Sequence, residues 1–499
     1  MLRVTSFAAA MIFRFTLGYI AVDLLKNQAA FAYNLINMLA IIAVAYIIIK
    51  KNNPYSIKWV IVIFVLPVFG LLLYLFFELL KKSGGRHIKL RDSIDRGAKS
   101  LDKNPAVYSE FGKNHPRRKR IAGYLGRKNN PLYKNTQCDY YQLGELHFDA
   151  MLKDMEKAEK FIFLEYFILS KGALWDKMRR ILLDKASQGV EIRLMIDDLG
   201  SILTFPRKML SELQRHNIQI SRFNDVSGVF SKYYFNYRNH RKIAVIDGNV
   251  GYTGGSNIAD EYINASSKYG HWKDTGIRLE GDAVWSLTVA FLQIWDGETN
   301  AISDYEAYRP TVSHEAQGYF QPFTDGPSNH LDNVALNTYK SIIYNARDYV
   351  YITTPYLIVD ASMIDALCIA AKGGTDVRII VPKIWDKWFV HMVTLSNYKE
   401  LLEAGVRIFE YTPGFMHAKT ILSDDDHAII GTINMDYRSF YLHYENAVWM
   451  CESPAIEEIK KDIMQTLAQC EEVQLESWHS KSLPQKLMQK SLRLVAVLL

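Results

Sequence analysis

The sequence predicts an α/β protein: two similar α/β domains related by a pseudo-twofold axis, preceded by an amino-terminal transmembrane helical hairpin. Three observations lead there. From about residue 135 onward, apolar runs of strand length alternate with helical patterns, as in strands joined by helical crossovers. The second half of that region repeats chemistry-bearing residues of the first at a constant offset of 177 residues. Residues 29–77 hold two uncharged, largely apolar runs of bilayer length.

In order along the chain, residues 1–28 contain the apolar stretch Val4 to Leu25, interrupted by Arg14 and Asp23. A central arginine costs roughly 2.5–3.5 kcal/mol on insertion. The stretch therefore reads as an amphipathic interfacial helix, with a third span as the alternative, and it lacks the cleavage pattern of a removable signal. Residues 29–80 are the predicted hairpin. Ala29 to Ile49 is a 21-residue run without charge, Trp59 to Phe77 a 19-residue run, and Lys50 to Lys58 joins them through Asn53-Pro54. A buried hairpin of a soluble core is the alternative. Trp59 and Tyr74 fall near the ends of the second run, where an interfacial aromatic belt would place them. Pro67 is expected to kink that helix without ending it.

Residues 81–134 read as a basic juxtamembrane linker. Residues 81–130 carry 15 Lys and Arg against four acids, whereas the whole 499-residue chain is only +6. Basic residues collect on the cytoplasmic side of a membrane and near anionic head groups. The expected location is thus a cell membrane, multi-pass, with the following domains on the cytoplasmic face. The 49% apolar and 13% aromatic content excludes wholesale disorder. The four cysteines, Cys138, Cys368, Cys451 and Cys470, form no C-x-x-C pair, which argues against a disulfide scaffold or a structural zinc site. They read most simply as core residues.

Residues 135–315 and 316–499 are the two predicted domains, the second ending in a helix. Strands are predicted at Phe161–Leu169, Glu191–Ile196, Lys242–Ile246, Tyr349–Val359, Asp376–Val381, Val406–Tyr411 and Ala428–Gly431, in a largely parallel sheet. Helical periods fit Leu146–Lys160, Leu174–Ala186, Ala283–Trp295, Leu331–Asn345 and Met363–Lys372. Gly189-Val-Glu-Ile-Arg193 is echoed by Gly374-Thr-Asp-Val-Arg378. The strongest echo is His240-Arg-Lys242-x4-Asp247 against His417-Ala-Lys419-x4-Asp424, each continuing to a Gly-x-x-Asn at Gly254–Asn257 and Gly431–Asn434. A purely structural repeat would preserve apolar positions and would have no reason to keep His and Lys.

Residues two apart on a strand share a face, so His240 and Lys242 point together, as do His417 and Lys419. Packed about a pseudo-twofold axis, the copies give one pocket two imidazoles, two ammoniums and the amides of Asn257 and Asn434, a set suited to a phosphodiester. One histidine attacks phosphorus while the other protonates the leaving alkoxide. Lys242, Asn257, Lys419 and Asn434 hold the phosphate oxygens, and no metal or other cofactor is called for. Asp247 and Asp424 belong to the catalytic motif, although their odd spacing points them away, as anchors of the turn. A nucleophilic imidazole needs a carboxylate on its other nitrogen. Asp274, 34 residues after His240, and Glu445, 28 after His417, are the candidates, with an ordinary strand-end acid as the alternative for each. The run Asp424-Asp-Asp-His427 reads as a solvated hairpin turn rather than a cation site.

These residues resemble the phospholipase D superfamily with paired H-x-K-x4-D motifs, and within it the bacterial cardiolipin synthases. Ser56-Ile-Lys-Trp59, Leu66-Pro67-Val-Phe-Gly70, Arg238-Asn-His-Arg-Lys242, Gly254-Gly-Ser-Asn257, His271-Trp-Lys-Asp274, Thr354-Pro-Tyr356, Phe415-Met-His-Ala-Lys419 and Asn434-Met-Asp-Tyr-Arg-Ser439 carry the likeness, from about residue 30 to 470. The resemblance implies a site between the two domains, His240 as nucleophile, and His417 as acid and then base. It also implies that Asp274 and Glu445 orient the two histidines. The implied reaction moves a phosphatidyl group from one phosphatidylglycerol to another, releasing glycerol; the expected partners are phosphatidylglycerol, anionic lipids and the membrane. Hydrolysis, transfer to another alcohol, and a membrane-tethered nuclease are the alternatives, although the predicted catalytic halves are not basic and no nucleic acid is expected.

Overall fold

In a computed structural model of the chain, the described residues are Thr16, 27–50, 57–82, 85–225, 236–327, 332–476 and 482–494. Most of the Val4–Leu25 segment, the Asn53-Pro54 turn and residues 495–499 lie outside them. The chain divides into two compact units, residues 1–84 with 494–499, and residues 85–493.

The first unit holds α1 (Asn27–Lys50), α2 (Ile57–Val65) and α3 (Pro67–Lys82). The second predicted span is therefore two helices, ending at Val65 and restarting at Pro67. Proline donates no N–H and its ring clashes with the carbonyl one turn back. Ala40, Ile47, Ile63, Leu71 and Tyr74 pack into a small core, and Trp59 meets Tyr74 edge-on at 5.6 Å. Phe31, Met38, Ile42, Ile49, Phe69 and Leu72 face outward. Among the described residues no helix is long and apolar enough to cross a membrane. The expected two-span hairpin is thus corrected to three packed helices with an apolar outer surface.

The second unit carries two sheets with one repeated topology. The first is built from β1 (Thr136–Tyr141), β2 (Phe161–Tyr166), β3 (Glu191–Asp197), β4 (Gln219–Phe223), β5 (Ile243–Ile246), β6 (Val250–Gly254) and β7 (Gly276–Gly281), in the order β1-β7-β6-β5-β2-β3-β4. The second uses β8 (Tyr319–Asp325), β9 (Tyr349–Thr353), β10 (Asp376–Pro382), β11 (Arg407–Tyr411), β12 (Thr420–Ser423), β13 (His427–Gly431), β14 (His443–Cys451) and β15 (Cys470–Glu472), in the order β8-β14-β13-β12-β9-β10-β11-β15. Each strand of the first sheet has its counterpart seven labels later, and β15 is an added edge.

The sheets are mixed, not largely parallel. Only β2-β3-β4 and β9-β10-β11 run parallel, and the remaining pairs are antiparallel. The reason is loop length: β5 turns into β6, and β12 into β13, through three residues each, far too few for a crossover. The helix Val284–Thr299 is buried over nearly its whole length. Its Trp285 and Phe291 share one core with Phe320, Met416 and Val448 of the second half, so the two halves are welded by side chains from both.

The segment predicted as a basic linker is largely folded. It forms helices Gly85–Gly97, Pro105–Asn114 and Lys119–Arg127. Ser93 donates to the Gln293 carbonyl at 2.8 Å, while Phe111, Ile121, Leu125 and Leu132 enter the second half's core. Charge dominates this stretch in composition, but its apolar residues fall on helix faces that can be buried while the basic side chains reach outward. Arg118 is the exception: it is buried, and it bonds Asp424 and Asp426 at 2.9 and 3.0 Å. The acidic run read as a solvated turn therefore does hold a cation, the chain's own guanidinium, and Lys460 adds an ion pair to Asp425 at 2.7 Å.

Candidate active site

Two short strand pairings exchange chain between the halves. Arg238–Asn239, just ahead of His240, pairs in parallel with His443–Tyr444, and Gly414–Met416, just ahead of His417, pairs in parallel with His271–Lys273. The exchange is reciprocal, as a pseudo-twofold requires. It brings each histidine beside the segment that carries the other half's carboxylate. His240 N donates to the Tyr444 carbonyl at 2.9 Å, and His417 N to the Lys273 carbonyl at 2.7 Å. The H-x-K pairs lie immediately before β5 and β12, not within them. That places the side chains at the strand ends, where the two halves meet.

His240 Nδ1 lies 2.9 and 3.0 Å from the two carboxylate oxygens of Glu445, and His417 Nδ1 lies 2.6 Å from Asp274 Oδ2. Both carboxylates are completely buried. A carboxylate at Nδ1 fixes the proton there and leaves Nε2 with its lone pair outward. Glu445 accepts further from Ser439 Oγ at 2.8 Å and from Thr432 Oγ1, while Asp274 Oδ1 accepts from the Thr275 amide at 2.9 Å. Burial pushes Asp274 up, but Lys419, His417 and these hydrogen bonds outweigh it and hold the carboxyl below its usual range.

Lys242 Nζ donates to the His240 carbonyl at 2.6 Å, and Lys419 Nζ to the His417 carbonyl while standing 2.8 Å from that ring. Burial, offset in part by the site's carboxylates, lowers Lys242 to about 7 and Lys419 to about 8. Burial, reinforced by Lys419, lowers His417 to about 4. Burial and then the Lys242 and Lys419 charges hold His240 well below the imidazole range. Each histidine feels the lysine of both halves, so the four motif groups form one electrostatic cluster.

The other sequence-predicted residues divide. Asp247 and Asp424, grouped with the catalytic set by their motif and expected from their spacing to anchor the turn, are built into turns. Each has a left-handed backbone, φ +54° and +53°. Asp247 accepts from the amides of Glu159, Lys160 and Phe161, and Asp424 from those of Arg347, Asp348 and Tyr349. A carboxylate saturated by backbone donors at the far end of a strand serves the scaffold. Asn257 is also taken up locally, donating to Tyr262 Oη at 2.7 Å and accepting from the Ile168 amide. Asn434 keeps a buried carboxamide oxygen without a hydrogen-bond partner among the described residues.

His443 was missed by sequence reasoning. Its ring lies 5.2 Å from that of His240, its Nε2 accepts from Arg438 Nε at 3.2 Å, and its Nδ1 is 3.5 Å from Glu445. Burial lowers it to about 3, so it is a neutral ring against the carboxylate that holds His240. The signal was the spacing: His443 and Glu445 are two apart on one strand and share a face. His240, His443 and Glu445 place their ligand atoms within 4.8 Å of one another. The surrounding ammonium and guanidinium charges make that cluster a poor home for a cation.

Comparison with known proteins agrees with this geometry. The family described as "Cardiolipin synthase, PLD-like domain" matches residues 151–269 and 339–467, and "Phospholipase_D-nuclease N-terminal" matches residues 38–78. A cardiolipin synthase of Oceanobacillus iheyensis is 34% identical over 92% of this chain and 96% of its own length. One from Listeria monocytogenes is 31% identical over 97% and 99%, and an uncharacterized protein of Streptococcus mutans is 39% identical over 92% and 99%. In fold, the chain is similar to phosphatidylserine synthase of Haemophilus influenzae, at a TM-score of 0.59 and 15% identity over 76% of this chain and 99% of that one. The repeated motif, the crossed histidine–carboxylate pairs and the full-length relatives together establish that the chain belongs to the cardiolipin synthase family of phospholipase D-like proteins.

Proposed function

We propose that the protein is a phosphatidyltransferase that makes cardiolipin from two molecules of phosphatidylglycerol. The observation that carries this reading is the pair of neutral, carboxylate-oriented imidazoles facing one cluster with two lysines. His240 Nε2 attacks the phosphorus of the first lipid, a P–N bond forms, and the P–O bond to glycerol breaks. His417, protonated once the phosphate is bound, gives its proton to the departing glycerol alkoxide. It then takes a proton from a glycerol hydroxyl of the second lipid, whose oxygen attacks phosphorus and releases His240. Lys242 and Lys419 balance the extra negative charge of the pentacovalent state more than that of the ground state, where catalysis must act. One phosphodiester is exchanged for another, so no nucleotide energy source enters.

The apolar outer surface of residues 27–82 supports attachment of the protein to a bilayer; a catalytic unit on the cytoplasmic side belongs to the same proposal. Purified full-length protein in phosphatidylglycerol mixed micelles is expected to yield equal amounts of diphosphatidylglycerol and glycerol by mass spectrometry. Phosphatidic acid alone would make the protein a hydrolase. A mixed diester formed only with an added alcohol would assign it another acceptor.

A further inference from the structure

The two halves each present an exposed apolar loop at the same end of the sheet. In the first half, β3 ends at Asp197 and the following loop exposes Ile202 and Leu203, the latter at 96%. In the second half, the equivalent strand β10 ends at Pro382; its loop exposes Ile384 and Trp385, and the start of the helix that follows, Trp388–Glu403, exposes Trp388 and Phe389, the two tryptophans at 49% and 45%. A soluble surface scatters large apolar residues singly; contiguous ones mark a surface made to be covered.

Both loops are tied to the catalytic groups. Ser201 Oγ donates to the Phe167 carbonyl at 3.3 Å, and the Phe167 ring lies 5.0 Å from that of His240. Across the site, Asp386 accepts from Tyr356 Oη at 2.7 Å. Tyr356 follows Thr354, whose Oγ1 accepts from the Met435 amide beside Asn434. Each loop therefore stands at the rim of the site, one per half, in positions related by the repeat.

We propose that these two loops are a membrane-docking rim: Leu203 and Ile202 on one side and Trp385, Trp388, Ile384 and Phe389 on the other enter the interfacial layer of a phospholipid bilayer, so that a head group can reach the histidines while its acyl chains stay in lipid. This rests on the reading of the substrate as a lipid. A bilayer suits the patch because tryptophan has an apolar body and a polar edge and favours the head-group layer. Lys387, more than half exposed and 3.9 Å from Asp386, stands at the same place to meet anionic head groups, while Lys383 is ion-paired with Glu471. Apolar loops beside the site also solve the substrate's problem, since a diacyl lipid leaving the bilayer fully would expose its chains to water.

The test uses full-length protein reconstituted into vesicles of phosphatidylglycerol and bromine-labelled phosphatidylcholine. Quenching of tryptophan fluorescence by the bromolipid is expected to fall in Trp385→Phe/Trp388→Phe. In Leu203→Ser/Trp385→Ser/Trp388→Ser, the rate on vesicle lipid divided by the rate on monomeric short-chain phosphatidylglycerol is expected to fall about tenfold. Unchanged quenching, or a ratio within about twofold of the parent, would overturn the inference, as would loss of a bound protein partner with the ratio intact. If the parent makes no diphosphatidyl product from either substrate form, the functional reading fails instead, and the quenching result still decides whether the rim meets lipid.

Discussion

Glu445 grips His240 across the boundary between the halves: both its carboxylate oxygens lie within 3.0 Å of Nδ1, although the two residues are 205 positions apart in the chain. Asp274 and His417 repeat the relationship in the other direction. Each half thus supplies one histidine and the carboxylate for the other, and neither half alone contains a complete dyad. Glu445→Gln puts an amide where the carboxylate stood. An amide N–H against Nδ1 favours the tautomer with its proton on Nε2, which cannot attack phosphorus. By analogy with a carboxylate-to-amide change behind a catalytic histidine, kcat is expected to fall by about 10⁴. Acid-quenched enzyme is expected to carry no phosphohistidine.

Replacing glycerol by p-nitrophenol as leaving group separates the roles of the two dyads. Such a group departs without a proton, so loss of the general acid matters little in the first step. His417→Ala and Asp274→Asn are expected to accumulate phosphoenzyme from a p-nitrophenyl phosphodiester, because only the second step still needs the base. His240→Ala and Glu445→Gln are expected to accumulate none. The opposite pattern would exchange the two histidines' roles.

The strands and helices that position the site were legible because burial dictates their pattern. Predicted Glu191–Ile196 is observed as Glu191–Asp197, and Leu174–Ala186 as Ala173–Ser187. The H-x-K repeat could be read because chemistry, not packing, keeps those residues. What could not be read is the crossing. The spacing of 34 residues places Asp274 after His240, yet its partner is His417. Only the exchange of short strands between halves sets that pairing, and two- or three-residue strands carry almost no periodic signal. The folded basic segment escaped for a similar reason, since Phe111 packs on Tyr319 and Trp449 of the distant strands β8 and β14, and Leu125 joins the same core.

Binding of an oxyanion is expected to take up protons. Lys242 is held at about 7, Lys419 at about 8 and His417 at about 4. Each is lowered because burial penalises charge; Lys419 pushes His417 and Lys242 the same way, while the site's carboxylates oppose it. An anion among them favours the charged form of each, so all three values rise on binding. At pH 8, where the lysines are part-deprotonated, tungstate should therefore bind with net proton uptake. Calorimetry in two buffers of different ionisation enthalpy reads this directly. For the same reason kcat/KM is expected to fall as pH rises from about 7 through 8, as the free enzyme loses the cations that receive the phosphate. Zero uptake, or release, would mean that the lysines are already fully charged.

Gly255 lies under the Asp274 carboxylate, and a methyl group there would overlap Oδ1. Gly255→Ala therefore has to push Asp274, which is fixed on its other side by His417 and the Thr275 amide. The expected result is a loss of kcat of about 10² or more with a folded protein, because displacing a catalytic orienting group by about 1 Å is enough for that. Gly123→Ala, where an added methyl group meets nothing within 4 Å, is the matched control and should retain activity.

Arg118 decides whether the basic segment is a linker or a structural part of the catalytic unit. Its guanidinium is buried, bonds Asp424 and Asp426, and donates to the Asn345 carbonyl at 3.2 Å. Asp424 in turn caps the amides that begin β9. Removing the arginine leaves a buried carboxylate without its counter-charge, which ordinarily costs about 3–5 kcal/mol. The amide donors that remain on Asp424, and the partial exposure of Asp426, place the expected loss near about 3 kcal/mol. Arg118→Ala should therefore lower the midpoint of thermal unfolding by several degrees and loosen the start of β9 in hydrogen exchange. Arg118→Lys should recover only part of this, because one ammonium cannot serve two carboxylates and a carbonyl in the planar fork that guanidinium provides. A linker would show neither effect, and an unchanged melting curve for Arg118→Ala would return the segment to that role.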